Sequence, residues 1–221
     1  MERSFVIIKP DGTARRRVSA LVLNTLLDRG YKLVAFQEMK VPESLAKLHY
    51  GVHKEKPFFP WLVDFISSAP VLAMIFEADD VIQGVRDALG ATFVQKAEPD
   101  SLRGKYGIWA GINIAHASDA PETASDEMKL WTTESGLKES TDAEEIARAY
   151  IQKYISGDAD YTMDLRSAVK DAIEHRDTSD NVLNSLKNLF AKDATGIDKN
   201  DTDTLAKVVF DFVLEEVEKT D

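Results

Sequence analysis

Residues 113–119 of this 221-residue chain read NIAHASD and hold one of its four histidines, His116, just past an apolar run. A neutral imidazole can attack an electrophilic phosphorus and hold the phosphoryl group covalently. It needs an open approach, and a partner on one ring nitrogen so that the other presents its lone pair. Ala115 and Ala117 are small enough to leave the approach open, and Glu127, eleven residues on, is a candidate partner. Three cations stand at places that a small sheet can bring to one edge: Lys9 at the end of the first apolar run, Arg86 in a helical segment and Arg103 in a long loop. Such a set suits the oxygens of a polyphosphate, since arginine donates paired hydrogen bonds. Fixed positive charge there would stabilise a phosphoryl-transfer transition state. Taken singly, a histidine in a turn more often has a structural role and each cation is an ordinary surface residue; the combination is what points to chemistry.

The elements that must position these residues follow from hydrophobic periodicity. RSFVIIK (3–9) and PVLAMIFE (70–77) read as buried strands, YKLVAFQEM (31–39) as a half-buried one and GIWAGINI (107–114) as a fourth. PDG (10–12) reads as a turn. Val18, Leu21, Val22 and Leu26 recur at helical spacing, closed by Gly30. Short helices are expected at 43–50, 58–67 and 79–89, then a long, poorly periodic stretch at 90–107. DAPETASDEMKLW opens another helix, with Asp119 as its expected N-cap and Pro121 in its first turn. The order β-α-β-α-α-β-α-loop-β-α predicts an α+β fold: a ferredoxin-like βαββαβ antiparallel sheet covered by helices. Loops as long as 90–107 are often functional. A polar segment at 132–141 reads as a linker after a 1–131 domain, and an all-α extension at 142–221 follows, with helices near 142–156, 162–176, 180–192 and 203–219. The last carries an apolar stripe, Leu205, Val208, Val209, Phe212 and Val213, that must be buried somewhere.

Composition narrows the function classes. The chain has no cysteine, hence no disulfide or thiolate metal site, and no apolar run long enough to span a membrane. A cytoplasmic location is the expectation, since the N-terminus lacks the pattern of a secretory signal. Charge is uneven: residues 1–131 net −1 and residues 132–221 net −10. That acidic surplus disfavours nucleic acid as a partner. There is no Walker-type glycine loop, so a phosphate cradle must come from side chains. DADYTMD (158–164) and DKNDTD (198–203) have acidic spacing but lack the glycine and final glutamate of a calcium loop, and helix caps are the better reading. His175 reads as a helix C-terminal or surface residue. In KPFFPWL, Phe58, Phe59 and Trp61 are core candidates, and one of them could serve as a stacking platform for a base.

Taken together these residues resemble the nucleoside diphosphate kinase family. NIAHASDAP is similar to the family's active-site signature, and IIKPDG, HY…HKEKPFF, R…LGAT and LRGKYG fall in the family's order over residues 2–131. The resemblance implies a ping-pong phosphotransferase in which His116 accepts the terminal phosphoryl of a nucleoside triphosphate and passes it to a diphosphate. It implies that Glu127 orients the imidazole, with Ser118 in the same network. Lys9 and Asn113 would contact the ribose hydroxyls, with Lys9 also reaching the transferred phosphate and Tyr50 lying near it. Arg86, Thr92 and Arg103 would hold the outer phosphates and His53 the inner one, while Phe58 would stack on the base beside Leu62. It further implies magnesium carried on the nucleotide, with few direct protein ligands, and a homo-oligomer. An alternative is a nucleotide-binding regulatory or partner-docking protein whose catalysis is secondary. Two departures stand out: Ile112 occupies a place where many members carry arginine, and TFVQKAEPD replaces a common Asn-Pro after the threonine.

Overall fold

The computed structural model describes residues 1–157 and 159–219. Its strands are β1 (Glu2–Ile8), β2 (Lys32–Met39), β3 (Val71–Ala78) and β4 (Ala115–Ala117). They pair antiparallel in the order β2-β3-β1-β4, the ferredoxin-like arrangement. Around them run α1 (Pro10–Thr13), α2 (Arg16–Leu27), α3 (Glu43–His49), α4 (Phe59–Ser67), α5 (Val81–Leu89), α6 (Leu102–Tyr106) and α7 (Pro121–Glu134). β1 and β3 are apolar on both sides because both faces are covered. Val6, Ile8, Leu72, Met74 and Phe76 pack with α2 and α5, whereas Phe5, Ile7, Ala73 and Ile75 pack with α3, α4 and α7.

The extension comprises α8 (Ala143–Tyr154), α9 (Thr162–Glu174), α10 (Asp180–Ala191) and α11 (Lys199–Glu218). It is fastened to the sheet domain rather than tethered beside it. α8 joins the α2 side of the core through Ala147, Tyr150 and Ile151. The remaining helices form a second cluster that takes in Ala14, Phe65, Ala69, Ile108 and Ile112. The stripe on α11 is buried there, with Leu205, Val209 and Val213 fully enclosed. Polar ties reinforce the contact. Arg16 donates to the Tyr150 hydroxyl (3.0 Å) and to the Thr195 carbonyl (3.0 Å), and Asp193 accepts from the Arg17 amide (2.7 Å) at the start of α2. Asp193 thus satisfies one of the orphan donors at that helix N-terminus, where the chain's own N-cap makes no side-chain bond.

Several sequence expectations change. The run 107–114 is a loop, and the strand begins only at Ala115. Ala110 (φ 43°) and Ile114 (φ 66°) adopt left-handed backbone, which an extended strand cannot contain. The run is apolar because Ile108 and Ile112 are buried against the extension. PDG opens the single turn of α1, and Ala120, not Asp119, precedes Pro121 in the cap position. In the segment expected as a linker, α7 continues to Glu134, Leu137 is buried, and Glu139 bridges β2 at Ala35 and pairs with Arg3 (2.8 Å). Of the acidic loops, Asp198 caps α11 by accepting from the Asn200 amide (2.7 Å) and Asp160 accepts from the Thr162 amide (2.8 Å); Asp158 lies outside the described residues.

Because Phe65 and Ile108 belong to the same cluster as α11, the extension and the sheet domain are expected to melt together. Leu205→Ala should lower stability by about 3 kcal/mol. In calorimetry it should move one transition, and a separate transition for the sheet domain left in place would contradict the shared core.

Candidate functional site

β4 decides where His116 points. It is three residues long and pairs His116 with Ile7, so the imidazole shares the face of Phe5 and Ile7, the one α7 covers. Ala115 and Ala117 fall on the opposite face, in the cluster with α5, so their small size serves packing there. One and a half turns into α7, Glu127 meets the ring: Nε2 of His116 lies 2.6 Å from Oε1. The other oxygen, Oε2, accepts from the Ser118 hydroxyl (2.6 Å), whose Oγ in turn accepts from the Phe5 amide (3.1 Å). A carboxylate only accepts, so the ring proton belongs on Nε2 and the lone pair on Nδ1. The His116 side chain is 26% exposed.

The turn that delivers β4 is strained. Ile114 is β-branched and left-handed, a conformation that costs about 1–3 kcal/mol. It is held by fully buried Asp11, whose Oδ2 accepts the Ile114 amide (3.0 Å), while the Ile114 carbonyl accepts the Lys9 amide (2.8 Å). Gly12 permits this approach, since a Cβ there would sit 2.7 Å from Ile8 Cγ2 and 3.2 Å from the Ile114 oxygen.

The cations converge. Lys9, 6% exposed at the end of β1, donates to the Gly111 carbonyl (2.9 Å). Burial lowers its pKa to about 8, with nearby Asp11 opposing and the charge of Arg103 adding to the fall. Arg103 on α6 donates to the Gly90 (2.8 Å) and Ala115 (2.9 Å) carbonyls, and its pKa is lowered to about 10 by burial and then by Arg86. Each guanidinium or ammonium is thus close enough to its neighbour to feel it, in a place that a polyanion would relieve. Asn113, 2% exposed, donates to the Thr92 carbonyl (2.6 Å), and its Oδ1 has no partner among the described residues.

These groups surround one cavity of about 990 Å³. Lys9, Arg86, Thr92, Arg103, Asn113, His116 and Glu127 line it together with Tyr50, His53, Phe58 and Leu62. Ser118 alone among the expected site residues is not in its wall, being fully buried behind Glu127. Tyr50 keeps its proton, because burial and then Glu127 and Asp11 push the phenol up. Phe58 is 45% exposed, with the His53 ring 5.7 Å away. Phe59 is half-buried core and Trp61 stacks on Phe65 at 4.8 Å.

Other residues of the site were not singled out by sequence reasoning. His49 places its ring 4.7 Å from that of His116. Its Nδ1 accepts from the indole of buried Trp131 (3.4 Å), and burial, then His116, His53 and Lys9, hold it neutral, well below the usual histidine range. Only its adjacency to Tyr50 in HY hinted at a place here. His49, His116 and Glu127 also form a cluster with ligand atoms within 4.8 Å of one another. Two imidazoles and one carboxylate suit zinc-like ions, not magnesium, which prefers oxygen. The extension contributes as well: Arg166 on α9 donates to the Gly107 (2.7 Å) and Gly104 (2.7 Å) carbonyls at the end of α6, and Phe212, Glu215, Glu216 and Lys219 line the cavity.

The nucleoside diphosphate kinase family model matches residues 2–137. A nucleoside diphosphate kinase of Trichormus variabilis is 48% identical over 137 residues, covering 62% of this chain and 91% of the relative. One of Methanothermobacter thermautotrophicus is 47% identical over the same length and shares. Among solved structures, the halophilic nucleoside diphosphate kinase of Halobacterium salinarum in complex with CDP superposes with a TM-score of 0.58 at 39% identity, covering 66% of this chain and 97% of its own. The helices beyond residue 137 lie outside the family match.

Arg166→Ala removes the bonds by which α9 holds the end of α6, to the Gly104 and Gly107 carbonyls and a longer one to that of Arg103 (3.4 Å). Faster amide hydrogen exchange over residues 103–107 and a loss of about 1–2 kcal/mol in stability are expected. Unchanged protection there would show that α6, which bears Arg103, is rigid without Arg166.

Proposed function

The chain belongs to the nucleoside diphosphate kinase family and transfers phosphoryl groups between nucleotides, and from that premise we propose that Nδ1 of His116 is the atom that carries the group. The observation that carries the proposal is the 2.6 Å contact of Nε2 with Glu127, which leaves Nδ1 as the nucleophilic nitrogen beside a convergent set of cations. In the first half-reaction the Nδ1 lone pair attacks the terminal phosphorus, the N–P bond forms and the P–O bond to the leaving diphosphate breaks. The proton stays on Nε2, and the Glu127 carboxylate offsets the positive charge that the ring acquires. In the second, a bound diphosphate oxygen attacks the phosphorus and the ring returns to its neutral state. A phosphoramidate is a high-energy linkage, so neither half-reaction is steeply downhill.

The remaining residues position the substrate. Arg86, Arg103 and Thr92 hold the outer phosphates and His53 the inner one. Lys9 reaches the transferred phosphate and, with the unpartnered Oδ1 of Asn113, the ribose hydroxyls. Tyr50, kept protonated, donates to a phosphate oxygen. Phe58 stacks on the base beside Leu62, an interaction that any base can make. Magnesium bound to the phosphates would offset the charge that three protein cations leave unbalanced; among the described residues no cage of oxygen ligands is built for it. Nothing in the cavity favours the regulatory reading, since its wall is complete and His116 is open to it.

Mixing the protein with ATP and GDP is expected to yield GTP, with an acid-labile label on His116 when the ATP is labelled. His116→Ala should lower turnover on the order of a thousandfold or more, and transfer that persisted in this variant would remove His116 from the mechanism. The pH dependence follows from Lys9. Phosphate binding favours its charged form, so affinity for a triphosphate is full below about pH 8 and falls as pH rises through that value. An ordinary lysine would hold its charge to about pH 10.4. Equilibrium titration across pH 7–10 checks this: the decline near pH 8 should vanish in Lys9→Met, and affinity level to pH 10 in the unaltered protein would contradict it.

A further inference from the structure

One flank of α11 changes character where it leaves α4. Leu205, Val208 and Val209 are packed in the extension's cluster, and the Val208 carbonyl accepts the Trp61 indole N–H (3.0 Å). Phe212 then meets Trp61 at 5.2 Å between rings. The next positions on that face, three, four and seven residues past Phe212, are Glu215, Glu216 and Lys219, and all four line the nucleotide cavity. The buried stripe itself stays apolar to the helix end, through Val213 and Val217. The flank beside it, from Phe212 onward, turns charged where it borders the cavity, next to α4, which follows Phe58 and carries Leu62.

We propose that the last two turns of α11 form a wall of the base end of the pocket and that Glu215 and Glu216 read the base edge, favouring guanine. The inference rests on the nucleotide reading of the cavity given above. Stacking on Phe58 does not discriminate between bases, whereas an edge contact does. Carboxylates only accept hydrogen bonds, and guanine offers them an adjacent ring N–H and amino group. Adenine and cytosine offer an amino group alone, and uracil and thymine a single ring N–H. Charge also fits this placement. The cations Lys9, Arg86 and Arg103 draw the phosphates toward His116, while at the end of α11 Lys219 balances Glu216 and Glu215 adds one negative charge, so that wall offers phosphate no comparable attraction. Glu216 is held by Lys219 (2.8 Å), which fixes its orientation at the helix end. A second observation marks the same cavity as a ligand site: buried Asn113 retains an Oδ1 without a partner among the described residues. Trp61 links the wall to the inner site, because its ring lies 3.9 Å from where a Cβ of Gly111 would stand, and the Gly111 carbonyl holds Lys9.

The test is calorimetric titration of the full chain with GDP and with UDP, a readout that does not depend on phosphoryl transfer. The unaltered protein is expected to bind GDP more tightly than UDP. The double variant Glu215→Gln, Glu216→Gln should lose about three- to tenfold of that preference, chiefly through weaker GDP binding. Glu218→Gln, on the same turn but outside the cavity wall, should retain it. Equal binding of the two nucleotides by the unaltered protein, a preference unchanged in the double variant, or an equal loss in Glu218→Gln would each overturn the proposal. Failure of the unaltered protein to bind either nucleotide would overturn the reading of the cavity itself.

Discussion

The short contact between Nε2 of His116 and Glu127 is the constraint on which the site depends, because it converts an ambivalent ring into one with a defined nucleophilic nitrogen. A free imidazole exchanges its proton between two positions and rotates. Here the strand pairing of His116 with Ile7 sets the face, α7 supplies the carboxylate, and Ser118 anchors that carboxylate to β1. The chain pays for this arrangement in backbone strain at Ile114, which Asp11 restrains from inside the core. The ring is therefore held by edge strand β4 and by α7, both fastened to β1 in the centre of the sheet.

The extension enters this scheme as a structural partner of the site. Arg15 is fully buried and joins the two parts, donating to the Asp11 carbonyl (2.7 Å), the Tyr106 carbonyl (2.9 Å) and the Thr162 hydroxyl (2.8 Å). It connects the turn that restrains Ile114, the helix that carries Arg103 and the first residue of α9. Burial lowers its pKa to about 10, which still leaves it charged near neutrality. A buried cation of this kind is tolerated only when its donors are satisfied, and three of its bonds go to partners in separate elements. Ile112 shows the same coupling in apolar form. Its departure from the arginine common in the family is explained by its place in the cluster built by α9, α10 and α11.

Much of this was legible in the sequence, for identifiable reasons. β1 and β3 are covered on both faces and so read as continuous apolar runs, and the last helix of the extension showed a clear stripe. The site residues from Lys9 to Glu127 sit in short motifs whose resemblance to those of the family implied a shared pocket. The boundary of β4 was not legible, because GIWAGINI is apolar for burial against the extension and not for pairing in a sheet. Nor was the stabilising role of Asp11, which in PDG looks like a turn residue. The contribution of α11 to the cavity was hidden for a different reason: a stripe shows that one face is buried, but not where the helix end arrives. Trp61, read as core or platform, turned out to be the residue that fixes that arrival.

The central claim concerns a single atom. Trapping the phosphorylated protein and recording nitrogen and phosphorus magnetic resonance distinguishes a phosphoryl group on Nδ1 of His116 from one on Nε2. The account predicts attachment at Nδ1, with Nε2 still protonated and bonded to Glu127. Attachment at Nε2, or at any residue other than His116, would contradict it.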